Sequence, residues 1–376
     1  MNKFLLTEKD IVKLLVMMVL AAAFFGLAGL VSMILMQWIT RQNFAEDIVG
    51  KHGIGEVAAS RLGGAFVFGT SVIFMVSAVM LGAETRAAGP LGIPLYAWIG
   101  MWGCAALGLV EDIRNDALKP RYRLLSKALI FLIVLGLWPD LVPKEIGIPG
   151  VDFLLGYSVI GLIITIIFCV GFLNAANMAD GANGLMPGIY FVAFLIFYLE
   201  YGGLGFVTLM SSCGLFLIFN VISGRLFLGD AGAYGLGAGV VLAGLFFNAQ
   251  GIFSASFLAV LLAYPCIEIV VSMARRMITG RSMFLPDNDH LHNRIHVQFK
   301  KHFKSQNMAN SMTGLSISTM SAGLALAGYL AAWWPITGHG WLIIFCGQCV
   351  LYGFVFMQTA QVEERNSDYA VTEQQD

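Results

Sequence analysis

The chain is expected to be an all-α polytopic membrane protein with about eleven transmembrane helices, and three observations lead there. Of its 376 residues, 58% are hydrophobic and only 12% charged, against about 25% charged in an ordinary soluble domain. The mean hydropathy is +0.78. Apolar runs close to the roughly 20 residues that cross a bilayer recur along the whole chain. This composition excludes a soluble enzyme, and no nucleic-acid-binding signature appears.

The candidate spans are 13–38, 63–81, 92–110, 124–139, 154–173, 185–200, 204–222, 235–248, 252–274, 315–335 and 340–358. Three of them (124–139, 185–200 and 235–248) are short, so the count is eleven to within about one. Glu8 and Asp10 stand among the N-terminal lysines, and no A-x-A-like site follows the first run. A retained helix is expected there, not a cleaved signal peptide. The loops after the odd-numbered spans, with the tail, carry 16 of the 22 Lys and Arg, with Lys127 at the start of the fourth span, which places these loops in the cytoplasm. Lys3, Lys9 and Lys13 argue the other way and are outvoted. The domain is expected to occupy 1–358, with an acidic, disordered cytoplasmic tail at 359–376. All six cysteines fall in apolar segments. Cys346-Gly-Gln-Cys349 has redox or zinc spacing, yet no His or acidic residue lies nearby, so these are read as small buried apolar groups.

Every polar cluster lies on the cytoplasmic side, in the loops 39–62, 111–123, 174–184, 223–234 and 275–314. A channel or transporter needs polar groups distributed through the bilayer. A site on one face suits a cytosolic reactant and a lipid held in the adjoining leaflet. Glu111-Asp112 ends the third run. Adjacent carboxylates repel, so one holds its proton tightly, as a general base or a cation ligand would. A solvated loop is the alternative, since Arg114, Asp116 and Lys119 follow.

Asn174, Asn177, Asp180 and Asn183 recur at spacing three, which on a helix continuing the fifth span puts them on one face. Their oxygens suit Mg2+, which keeps waters and takes few protein ligands. Gly181 and Gly184 allow a tight turn and the close approach of a phosphate. Gly229-Asp230-Ala-Gly232 offers backbone N–H groups to an anion and a carboxylate as second metal ligand. It is not a Walker A loop, because no Gly-Lys-Ser/Thr follows. His290, His292 and Arg294, after Pro286, can contact a diphosphate. A zinc site there lacks a third soft ligand. His296, His302, Lys300, Lys301 and Lys304 form a basic face near anionic lipid heads. Arg61 opens the second span, and Glu268 follows Tyr264-Pro265 inside the ninth. There it is either a catalytic acid or a group bonded to backbone freed by the proline.

Taken in order, these elements resemble the polyprenyl-phosphate N-acetylhexosamine-1-phosphate transferase family. The matching pieces are Arg61-Leu-Gly-Gly64, the acidic pair 111–112 with Arg121, Arg123 and Lys127 downstream, and Asn174-x-x-Asn177-x-x-Asp180-Gly-x-x-Gly184. They continue with Gly229-Asp230-x-Gly232, Tyr264-Pro-x-x-Glu268 with Arg275-Arg276, and Pro286-x-x-x-His290-x-His292. Glu111, Asn183 and Asn293 stand where the family often has Asp, Asp and His, which argues against its peptidoglycan branch.

The resemblance implies transfer of an N-acetylated sugar 1-phosphate from a UDP-sugar, such as UDP-GlcNAc, to undecaprenyl phosphate, with release of UMP. The lipid product would start O-antigen or another surface polysaccharide. It also implies a multi-pass protein of the bacterial inner membrane, surrounded by lipid, with a cytoplasmic active site and membrane dimers among its members. In roles carried by that resemblance, Asn177 and Asp230 hold Mg2+, with Mn2+ as the alternative ion. Asp112 or Glu111 deprotonates or orients the lipid phosphate. Asp180 acts beside them, and with Asn183 positions the donor or tunes the metal. Arg61, His290, His292 and Arg294 hold donor phosphates, while Arg123, Lys127 and Asn174 contact uridine or phosphate. Two other readings stay open: a lipid-linked-sugar flippase, and a family member that has lost catalysis and serves as a scaffold.

Overall fold

The computed structural model describes residues 8–42, 45, 59–82, 94–114, 117–280 and 289–373, with side chains from 11 to 359. Among them the regular structure is helical apart from one parallel bridge between Ser60 and Leu226. Most of the expected loop 39–62, including Lys51, lies outside the described residues, as does the stretch 281–288 with Pro286.

The helices are α1 (Glu8–Ile39), α2 (Gly63–Met80), α3 (Leu95–Ile113), α4 (Pro120–Leu137), α5 (Pro149–Leu155), α6 (Ser158–Ala179), α7 (Leu185–Tyr201) and α8 (Leu204–Ser223). They continue with α9 (Gly229–Ala249), α10 (Ala255–Leu261), α11 (Ala263–Ile278), α12 (Leu291–His302), α13 (Gln306–Ser318), α14 (Leu324–Leu330) and α15 (Trp341–Glu373). Six are long and apolar enough to cross a membrane, or seven when the bent pair α10–α11 counts as one. The protein is therefore an all-α, multi-pass membrane protein, and the expected eleven crossings exceed those that length and composition establish.

The bundle is organised around α9, which is almost wholly buried and packs against α2, α3, α6 and α7. Its Gly- and Ala-rich sequence lets neighbouring backbones approach closely. At Gly64 on α2 and Gly108 on α3, an added Cβ would overlap backbone atoms of α9 near Asp230–Gly232. The helix of the fifth span continues to Ala179 and carries Asn174 and Asn177, whereas the eighth span begins earlier than expected, at Gly229, so Asp230 too is carried on a helix.

The expected single span 252–274 is instead two helices bent by 82°. In an unbroken helix the Pro265 ring would clash with the carbonyl of Leu261, and α10 ends at that residue. The break frees backbone groups in a low-dielectric setting, where each needs a partner. The Tyr264 N–H donates to Ser321 Oγ at 3.1 Å. Gln348 Nε2 on α15 donates to Val260 O at 3.3 Å. The same nitrogen reaches Met320 O at 3.1 Å, in the π-helical turn Thr319–Gly323 that interrupts the expected span 315–335.

One amide thus serves both interruptions. Its signal sat in the Cys346–Cys349 stretch, where the cysteines are free thiols. Gln348→Leu is expected to cost roughly 1–3 kcal/mol by leaving those carbonyls unpaired, visible as a lower Tm in detergent with the fold retained. The acidic tail, expected to be disordered from 359, has a helical backbone up to Glu373, because no Gly or Pro interrupts α15 after Gly353.

Candidate active site

A short ribbon and three helix ends build one half of the site. The Ser60 N–H donates to Arg225 O at 3.1 Å and the Phe227 N–H to Ser60 O at 2.8 Å. Gly63 and Gly64 donate to Phe227 O and Leu228 O at 2.9 and 2.7 Å. This pairing delivers Arg61 to the start of α9, with guanidinium nitrogens 3.7 Å from Asp112 and 3.7 Å from Asp230. Asp112 is buried at the end of α3 and accepts the backbone N–H groups of Asp230 and Ala231, each at 2.8 Å. It caps α9 from another helix, at the terminus where the helix dipole favours an anion. Gly229, at φ 71°, turns the chain into α9, where a side chain would collide with the Arg61 backbone and the Asp112 carboxylate. Asp180, just past α6, receives the Gly229 N–H.

Both Asp112 and Asp180 lie beyond the apolar spans that precede them. Burial, then the charge of Asp230, pushes the Asp112 carboxyl up to about 7, against the pull of its two backbone donors and Arg61. Burial, then Asp112 and Asp230, raises Asp180 well above the ordinary range. Three carboxylates thus meet one guanidinium, and the surplus negative charge is relieved by protons or by a cation.

The oxygen-only donors Asp230 and Asn177 fit Mg2+. Among the described residues no three His, Cys, Asp or Glu side chains close around an ion.

Lys127 on α4 joins these groups to α6. It is buried, its Nζ donates to Asn174 Oδ1 at 2.5 Å, and it lies 4.0 Å from the centre of the Tyr234 ring. Asn177 Nδ2 donates to the Tyr234 hydroxyl at 2.8 Å, which turns Oδ1 away from that ring. Tyr234 lies two residues past the glycine-rich motif, and nothing in its spacing marks it as the post on which Lys127 and Asn177 rest.

A second cluster adjoins the turn after Asp180. Glu268 Oε1 lies 3.0 Å from His290 Nδ1. Its Oε2 accepts the Tyr264 and Tyr352 hydroxyls at 3.1 and 2.9 Å and the Leu291 N–H at 3.1 Å. Tyr264 Oη lies 2.9 Å from His292 Nδ1. The His290 and His292 rings are nearly parallel, 5.4 Å apart. His292 Nε2 fills the space where a Cβ on Gly181 would stand. The expected phosphate approach at that glycine is therefore, in this structure, the seat of an imidazole. Glu268 is not bonded to backbone freed by Pro265, a task that Gln348 and Ser321 perform.

Four predicted residues are committed elsewhere. Glu111 accepts the Leu118 N–H at 2.8 Å and pairs with Arg123 at 3.6 Å, so both serve the α3–α4 connection. Asn183 lies past the Asp180 turn and not on the helix face of Asn174 and Asn177, because α6 ends at Ala179. Its backbone N–H donates to Asn310 Oδ1 and its Nδ2 to Asn307 Oδ1, both at 3.0 Å. Asn220 supports the same turn by accepting the Gly184 N–H at 2.7 Å. Arg294 donates twice to Asp289, at 2.6 and 2.9 Å, and stacks 3.9 Å from the centre of the Phe356 ring. Asn183→Ala is expected to cost roughly 1–3 kcal/mol through unpaired buried partners. Donor KM should stay near wild type in an initial-rate titration, and a tenfold rise (about 1.4 kcal/mol) would put Asn183 on the donor instead.

Comparison with known proteins bears on this arrangement. The profile of glycosyl transferase family 4 matches residues 94–248. The phospho-N-acetylmuramoyl-pentapeptide-transferase of Staphylococcus carnosus is 24% identical over 293 residues, covering 73% of this chain and 89% of that protein. The undecaprenyl-phosphate alpha-N-acetylglucosaminyl 1-phosphate transferase of Thermotoga maritima is 30% identical over 187 residues, 50% of this chain and 56% of that protein. The matched stretch contains the helices that carry Asp112, Lys127, Asn177 and Asp230, and over it the chain is similar to glycosyl transferase family 4.

Proposed function

We propose that the protein transfers an N-acetylated sugar 1-phosphate from a UDP-sugar to undecaprenyl phosphate at the cytoplasmic face of the bacterial inner membrane. The product would be the lipid diphosphate sugar that begins O-antigen or another surface polysaccharide. The observation that carries this reading is the meeting of Asp112, Asp180 and Asp230 around Arg61 at the start of α9. The transferase names of both relatives support the reaction class.

Mg2+, or Mn2+ in its place, held by Asp230 and Asn177, would neutralise charge on the donor diphosphate. Arg61 and Lys127 add fixed positive charge beside it. Asp112 takes the proton from the lipid phosphate, since burial has brought its carboxyl near neutrality. Glu111 is the weaker candidate for that role because its oxygens hold the α3–α4 connection. The freed phosphate oxygen bonds to the sugar-bearing phosphorus while the diphosphate bridge breaks, and UMP leaves with the bridging oxygen. His290 and His292 meet the donor from the far side of the Gly181 turn.

The test is incubation of the purified protein with undecaprenyl phosphate and radiolabelled UDP-GlcNAc, UDP-GalNAc or a UDP-deoxy-sugar, with and without chelator. Label should pass to the lipid with one donor and stop in EDTA. Label that stays in the aqueous phase with every donor overturns the reading.

A further inference from the structure

Glu268 is a buried acid with four neighbours that can donate, and it takes no part in the mechanism above. The Leu291 N–H can only donate, and an ionised carboxylate can only accept. With both tyrosine hydroxyls also directed at Oε2, the carboxylate acts as an acceptor on every side. It sits at the start of α12, where the helix terminus stabilises negative charge. The protons can then be followed outward. His290 Nδ1, facing an acceptor at 3.0 Å, must carry hydrogen. The Tyr264 hydroxyl has one hydrogen and gives it to Glu268, so it accepts from its other neighbours. These are the His292 backbone N–H at 3.2 Å and His292 Nδ1 at 2.9 Å. His292 Nδ1 must therefore also carry hydrogen.

We propose that Glu268 is a positioning residue that, directly and through Tyr264, fixes the proton on Nδ1 of both His290 and His292. Each Nε2 is thereby left bare as the working nitrogen. His292 Nε2 lies against Gly181, at the turn bearing Asp180, and the His290 ring stacks on it. A bare Nε2 takes up a proton when a phosphate dianion arrives, and Glu268 stabilises the resulting imidazolium on the opposite side of the ring. Without substrate His292 stays neutral. Burial, with the neighbouring His290 and His296, draws its pKa down to about 4 against the opposing charge of Glu268. Among the described residues, the titratable groups facing the pair are Glu268 and Tyr264 from α11 and His296 from α12, with Tyr352 from α15 bonded to the far side of Glu268. That the histidines touch the donor rests on the transferase reading, whereas the tautomers do not.

The experiment is nitrogen-15 NMR of the full-length, histidine-labelled protein in lipid nanodiscs. Signals are assigned with His290→Asn and His292→Asn, and UDP-sugar kinetics are measured in parallel. Wild type should show protonated Nδ1 and bare Nε2 at both positions near neutral pH. Tyr264→Phe should release the tautomer of His292 and leave that of His290. Glu268→Gln should release both and raise the donor KM about tenfold, with kcat within about threefold, a size typical of groups that orient a working histidine. Glu268→Asp should recover part of the loss. Nε2–H at either histidine in the wild type overturns the proposal, as does a Glu268→Gln protein with both tautomers and KM unchanged. If Glu268→Gln does not fold, the wild-type spectrum and Tyr264→Phe decide. A wild type that shows these tautomers yet transfers no sugar phosphate would sink the transferase reading alone.

Discussion

Asp230→Ala is expected to abolish transfer, by about 1000-fold or more if the carboxylate organises the charge on the donor diphosphate, while the protein stays folded. Stability should survive because Asp230 is held mainly by its backbone. Its N–H, which alanine retains, donates to Asp112, whereas among the described residues its side chain makes an ion pair to Arg61 at 3.7 Å. Removing the carboxylate also removes a negative charge that raises both Asp112 and Asp180. The Tm should therefore be unchanged or higher as activity disappears. UMP release and a thermal melt in detergent, from one preparation, check both halves. Retained activity would remove Asp230 from the metal site. Lost activity with a lower Tm would recast it as a structural residue.

Asp112→Ala should lose both activity and stability, and that contrast separates the two acids. If Asp112 takes the proton from the lipid phosphate, turnover falls by about 100-fold or more. The same side chain accepts two N–H groups at the start of α9, and alanine leaves both unpaired in a buried place. Stability should also depend on pH in a defined direction when divalent cations are removed. The Asp112 carboxyl is raised from 3.8 to about 7 in the folded protein, so the folded state binds its proton more tightly than the unfolded chain. Its contribution is fully present below 3.8 and is lost as pH rises through about 7. In chelator, the wild-type Tm should therefore fall as pH is raised across that interval. Asp112→Asn mimics the protonated acid and should flatten the slope. An equal slope in both proteins would remove Asp112 as its source.

Two acids in this protein do similar structural work, and only one announced itself. Asp112 and Glu268 each bond the first N–H groups of a helix contributed by a different part of the chain. Asp112 stood beside Glu111 at the end of an apolar run, where two carboxylates invite a functional reading. Geometry then separated the pair, giving one carboxylate to α9 and the other to Leu118 and Arg123. Glu268 was visible as an acid inside a span, but its partner Tyr352 lies 84 residues away and had no local mark. Asn183 shared the spacing of Asn174 and Asn177. Periodicity could not show that the helix stops at Ala179 and hands the fourth residue to Asn307 and Asn310.

The amino-acid sequence by itself determined the solvent and the chemistry. Apolar runs at spanning length commit the backbone to helices, since lipid offers no hydrogen bonds to any other arrangement. Amides, acids, histidines and basic residues gathered at run ends commit the polar chemistry to one face. Tertiary structure alone decided which of those groups share a site. Hydrogen bonds and ion pairs act over a few ångströms between residues that can be more than a hundred positions apart. The close approach of α2 and α3 to α9 at Gly64 and Gly108 brings Arg61, Asp112 and Asp230 within that reach. A proline-broken helix, stapled by Gln348, likewise belongs to the packing that seats Glu268 beneath two histidines.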